Sequence, residues 1–105
     1  MTALEYAAAH NERYIADLIE FLRIPSISTL PEHRPDMERA ATWLAGRLRG
    51  LGLDTVRIYP TGGHPVVYGE WRGAGPAAPT VLVYGHSDVQ PVDPVELWKS
   101  PPFEP

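Results

Sequence analysis

The chain contains no cysteine, which excludes disulfides and any thiolate metal site built from its own residues. It has no apolar run near the roughly 20 residues that a membrane-crossing helix needs. Glu5, Glu12 and Arg13 interrupt the alanine-rich start, so no signal-peptide core forms there. A basic excess is also missing. Nine Lys and Arg stand against thirteen Asp and Glu, for a formal charge of −4, with the two signs interspersed. That removes the electrostatic footprint of a nucleic-acid binder. No Gly-x-Ser-x-Gly elbow surrounds any serine. The Gly73–Pro79 connector has the wrong glycine spacing for a phosphate loop. No repeat or low-complexity tract occurs. The composition, 44% hydrophobic and 21% charged, is that of a soluble globular protein. A chain of 105 residues can bury one modest core, and a cytoplasmic location is the default.

What the chain does have is periodicity followed by proline. Thr2 to about Arg23 is expected to form one amphipathic helix. Thr2 with Glu5 fits a capping box, and Tyr14, Ile15, Leu18, Ile19 and Leu22 make an apolar stripe. Pro25 disfavours helical geometry at Ile24 and ends it. Ser26 to Pro35 is expected as loop, with its serines as turn and capping hydroxyls and with His33 exposed. A second helix is expected from Pro35 or Asp36 to Arg49, burying Met37, Ala40, Ala41, Leu44 and Leu48, with Trp43 at the margin. Gly50 or Gly52 supplies a left-handed stop. Asp54–Tyr59 and Val66–Trp71, joined by Pro60-Thr61-Gly62-Gly63-His64-Pro65, are expected to form a hairpin-like pair. His64 is more often simply polar in such a turn than a metal ligand, and His10 is expected to be solvated. Thr80 to Tyr84 is apolar on both faces, so a third, buried strand is expected there. The order of elements implies an α/β piece.

That third segment ends in the most informative residues. Gly85 follows the apolar run, and then come His86 and Asp88, two apart. In extended backbone such a pair shares a face. There an imidazole can bind metal while the carboxylate orients its ring. Gly85 removes side-chain bulk just before the pair and leaves room for close approach. The proline-punctuated segment from Gln90 to Pro105 is too poor in backbone donors for a central strand, and is expected as ordered loop.

Read together, Gly85-His86-Ser87-Asp88-Val89-Gln90-Pro91-Val92-Asp93-Pro94, Trp98 and Pro102-Phe103-Glu104-Pro105 resemble the N-terminal part of the M20 family of zinc peptidases and deacylases. Phe21-Leu22-Arg23-Ile24-Pro25-Ser26-Ile27-Ser28 and Arg39–Leu44 add upstream support. The Gln-Pro-Val-Asp-Pro wording is most similar to the dipeptidase, carnosinase-like branch, although Ser87 stands where that branch more often has tyrosine.

The resemblance implies a partial catalytic domain over 1–105, truncated on its C-terminal side. This would be the N-terminal part of a helix-covered mixed-sheet sandwich of the zinc-dependent exopeptidase type. It implies His86 as a ligand of one zinc in a two-zinc site, other divalent metals being alternatives. It implies Asp88 as the adjacent catalytic-site carboxylate. Trp98 and Phe103 would brace the loop, and the remaining ligands and the general base would lie beyond Pro105. The implied substrate is a dipeptide or short peptide, with no nucleic-acid or membrane partner and a homodimeric parent. An amidohydrolase of N-acyl amino acids shares the same chemistry. A non-catalytic remnant of the fold is the alternative of another class.

Overall fold

The computed structural model describes Met1–Pro105, and its chain divides into two units. One comprises Met1–Pro25 with Val92–Pro105; the other is Ser26–Pro91. No helix is long and apolar enough to cross a membrane.

In the first unit the expected single helix is two: α1 (Ala3–Ala9) and α2 (Asn11–Leu22), with His10 between them. The capping box forms. The Glu5 amide donates to Thr2 Oγ1 at 3.2 Å, and the Thr2 amide donates to the Glu5 carboxylate at 2.7 Å. His10 leaves helical geometry with φ −115° and ψ 15°. Its Nδ1 donates to the Tyr6 carbonyl at 2.8 Å, and its ring stacks on Tyr6 with centroids 4.1 Å apart. A side chain that bonds the preceding turn competes with helix continuation, and the break falls there.

The apolar stripe of α2 is present but uncovered. Ile15 and Leu18 are 49% and 54% exposed, and no residue of α1 or α2 is buried. Periodicity shows which face of a helix would bury; burial itself needs an opposing surface. Toward the other end of this unit, residues 95–97 make one 3₁₀ turn. Trp98 Nε1 donates to the Val92 carbonyl at 2.9 Å and closes the 92–98 loop. The Asp93–Pro94 peptide is cis.

The second unit holds most of the buried apolar residues. A 3₁₀ turn at Pro31–His33 leads into α3 (Arg34–Gly50). His33 is half-buried, not exposed as expected: its Nδ1 donates to Asp36 at 2.8 Å, in the first turn of α3. Leu51 ends the helix, and Gly52 follows with φ +78°, the left-handed geometry glycine tolerates. The strands β1 (Thr55–Tyr59) and β2 (Val66–Glu70) pair antiparallel, from Thr55 opposite Glu70 to Tyr59 opposite Val66. The hairpin is as anticipated.

Helix α3 packs on both strands. Met37, Ala40, Ala41 and Ala45 are buried on it, Ala40 and Ala45 completely; Leu44 and Leu48 are only half-buried. Small side chains at most of these buried positions keep that face of the helix shallow. Gly69 on β2 leaves room for two leucines, since a Cβ there would meet Leu53 Cδ2 at 2.6 Å and Leu48 Cδ1 at 3.0 Å. Trp43 sits half-buried at the margin with the Arg47 guanidinium over its ring. Enlarging a completely buried alanine of α3 should be costly. Ala40→Leu is expected to destabilise the fold by about 1–3 kcal/mol, read as a lower urea midpoint at unchanged slope.

The third strand does not form. Val81, Leu82, Val83 and Tyr84 are 81–89% exposed, and the sheet has two strands, not three. A strand requires a neighbour for its N–H and C=O groups as much as an apolar sequence. Residues 80–84 have no such neighbour. The architecture is therefore mixed helix and sheet, with a two-stranded antiparallel ribbon where a larger mixed sheet was expected.

Candidate active site

The site is assembled from three loops of the second unit. Residues 26–28 run alongside residues 87–89. Ile27 and Val89 form an isolated parallel bridge, and the Val89 amide donates to the Ser26 carbonyl at 2.9 Å. Ser26, only 3% exposed, donates from Oγ to the Ser87 carbonyl at 2.9 Å. Two hydrogen bonds and a buried Ile27 thus hold the 87–89 backbone in place.

His86 and Asp88 meet as the alternation of extended backbone requires. His86 Nδ1 lies 2.8 Å from Asp88 Oδ1. A neutral imidazole facing a carboxylate carries its proton on that nitrogen, which leaves the Nε2 lone pair free. The His86 side chain is 77% exposed, that of Asp88 40%. Asp88 Oδ2 accepts from Ser28 Oγ at 2.7 Å. The Ser28 and His86 hydrogen bonds together hold the Asp88 carboxyl below the usual aspartate range. It is therefore ionised at neutral pH and steadies the pair there.

His64 joins from the β1–β2 turn. Its Nε2 donates to the Ser28 carbonyl at 2.7 Å, so that nitrogen is engaged with backbone. The turn is itself tied: Thr61 Oγ1 donates to the His64 carbonyl at 2.6 Å and accepts from the Gly63 amide at 3.0 Å. Gly85 is open, since a Cβ there would meet nothing within 4 Å, so no other part of this chain makes a close approach to it. A hollow of about 580 Å³ bordered by Glu70, Trp71, Arg72, Pro79, Val81 and Leu82 lies elsewhere and contains neither His86 nor Asp88.

Sequence reasoning found His86 and Asp88 but gave Ser26, Ser28 and His64 no part in the site. A signal was available in Ser26-Ile27-Ser28, a polar-apolar-polar alternation that sends both hydroxyls to the same neighbour.

Known proteins similar to this chain include dipeptidases and an aminoacylase. The chain is 34% identical over 95 residues to a cysteinylglycine-S-conjugate dipeptidase of Corynebacterium striatum, covering 90% of this chain and 21% of that protein. It is 34% identical over 103 residues to the Cys-Gly metallodipeptidase DUG1 of Candida albicans, covering 87% and 21%. This chain is related to the N-terminal part of the M20 metallopeptidases. Mouse aminoacylase-1 is 35% identical over 85 residues, covering 81% and 20%. The chain thus spans about a fifth of the length of the curated relatives it matches. No protein-family model and no solved structure matches it.

As a metal site the M20-like donor set fits one corner. An imidazole whose Nδ1–H is held by a carboxylate is the arrangement that metal-binding histidines adopt. Zinc takes three or four protein ligands, and no group of three or more His, Asp or Glu comes together in this chain.

Proposed function

We propose that residues 1–105 are the N-terminal part of the catalytic domain of a zinc-dependent peptidase acting on dipeptides or short peptides. In this reading the fold belongs to a helix-covered mixed-sheet sandwich of the zinc exopeptidase type. His86 supplies one ligand, through Nε2, to a two-zinc centre completed by carboxylates and a histidine outside these residues. The observation that carries the reading is the 2.8 Å contact between His86 Nδ1 and Asp88 Oδ1, which leaves the other ring nitrogen unpartnered. It lies within the stretch related to two Cys-Gly-type dipeptidases.

The metal, when bound, supplies the Lewis acidity that activates water near neutral pH and polarises the scissile carbonyl. The chain's own residues do something narrower. Asp88 keeps the His86 proton on Nδ1, holds the ring still, and places negative charge behind it to strengthen its donation. A second reading, hydrolysis of N-acyl amino acids, has support in the likeness to aminoacylase-1. The peptide bond and the N-acyl bond are both amides, so this half of the site serves either.

Alone, the 105 residues are expected to take up zinc weakly and to hydrolyse nothing. Chelator-sensitive dipeptide cleavage by the purified chain would contradict that. The positive test is a chimera in which residues 1–105 replace the matching N-terminal fifth of the Corynebacterium striatum dipeptidase. Zinc-dependent hydrolysis of a cysteinylglycine S-conjugate is expected. A folded chimera that binds zinc at full stoichiometry yet lacks activity would overturn the reading.

A further inference from the structure

His86 and Asp88 account for a single hydrogen bond, yet the carboxylate is gripped from behind as well. A carboxylate on an exposed loop ordinarily turns about its last torsion, which is broad and roughly two-fold. Here Asp88 Oδ2 accepts from Ser28 Oγ at 2.7 Å while Oδ1 faces His86 Nδ1 at 2.8 Å. Both oxygens are spoken for, by residues 60 and 2 positions away. Ser28 is held in turn, because His64 Nε2 donates to its carbonyl at 2.7 Å from a turn that Thr61 locks internally. The order of connection is β1–β2 turn, His64, Ser28, Asp88, His86.

We propose that Ser28, pinned by His64, is a positioning residue. Its hydroxyl fixes the Asp88 carboxylate and so sets which nitrogen of His86 carries the proton. This deepens the peptidase reading and rests on it for the use made of the free Nε2. Without the Ser28 hydroxyl the carboxylate turns toward water and the imidazole relaxes to the Nε2–H tautomer that free histidine prefers. That form has no lone pair on Nε2 for a metal. His64 acts one step further back, by keeping residue 28 within reach. It holds the brace through backbone rather than through a metal.

The test is made on the whole 105-residue chain without metal, using long-range ¹H–¹⁵N correlation of the histidine rings at about pH 8.5, well above the ordinary histidine range. The wild type is expected to show His86 protonated on Nδ1. Ser28→Ala and His64→Ala are expected to shift the ring largely to the Nε2–H form. Ser28→Thr, which keeps the hydroxyl, and His64→Gln, which keeps a donor, are expected to stay near wild type. Far-UV circular dichroism identifies any variant that has lost its fold, and the threonine and glutamine variants then carry the comparison. An unchanged His86 tautomer in folded Ser28→Ala overturns the proposal.

Zinc titration of the same variants, made in the chimera with the Corynebacterium striatum dipeptidase, separates the two levels of argument. A roughly 10–100-fold weaker affinity in Ser28→Ala, in step with the tautomer, supports the brace acting on metal binding. A tautomer that responds as described, in a chimera whose zinc uptake is unaffected by His86→Ala, refutes the peptidase reading and supports the brace as a property of the fold.

Discussion

Replacing His86 by alanine in the zinc-loaded chimera is expected to lower kcat/KM by about 10³-fold or more, equivalent to roughly 4 kcal/mol of transition-state stabilisation. The argument starts from geometry. The imidazole is exposed, its Nδ1 is taken by Asp88, and Nε2 has no protein partner. A side chain with so little burial contributes little to stability, so its loss should leave folding intact within about 0.5 kcal/mol. Activity and stability therefore come apart, and measuring both decides the matter. Equal losses in the two would mean that His86 is structural, and unchanged activity would remove it from the metal site.

Asp88→Asn gives the finer reading. The carboxamide keeps the size of the carboxylate but can turn its NH₂ toward His86 Nδ1 and drive the proton to Nε2. A loss of about 10–100-fold is expected, as for other residues that orient a metal-binding histidine. The amide oxygen of the introduced asparagine would still accept from the Ser28 hydroxyl, so the backbone of the loop should not move.

The second large expected effect concerns residues 81–84. Their amides should exchange with solvent almost without protection, while those of paired β1 and β2 residues exchange far more slowly. The contrast follows from exposures of 81–89% against a register of five opposed residue pairs. For the same reason Val83→Ser should change stability by no more than about 0.5 kcal/mol. Burying a valine fully is worth about 1.5–3 kcal/mol, so a loss of that size would show that the strand is packed after all. Four consecutive exposed apolar residues without charge also form an aggregation-prone window. The double variant Val81→Lys, Val83→Lys should raise solubility and leave the urea midpoint unchanged. Native-state hydrogen exchange and light scattering read the two halves of this prediction.

How much of the molecule could be read from its residues differs by the range of the interactions involved. Local chemistry was readable. The Thr2–Glu5 capping box, the stop before Pro25, the extent of the second helix and the turn at Gly52 each depend on contacts within a few residues, and the hairpin joins two segments close in the chain. The His86–Asp88 pair belongs with them, because two-residue spacing in extended backbone is enough to bring the side chains together.

What the residues could not disclose was which apolar surface finds a partner. The stripes of α2 and of residues 81–84 carry the patterns of buried elements and are uncovered, while Ala45, less hydrophobic than its neighbour Leu44, is buried completely. Burial is decided by what packs opposite, and pattern alone does not contain the opposing surface. The brace from His64 through Ser28 to Asp88 escaped for a related reason. Its members lie 36 and 60 positions apart and meet only once the hairpin turn and residues 87–89 have both folded against the 26–28 loop.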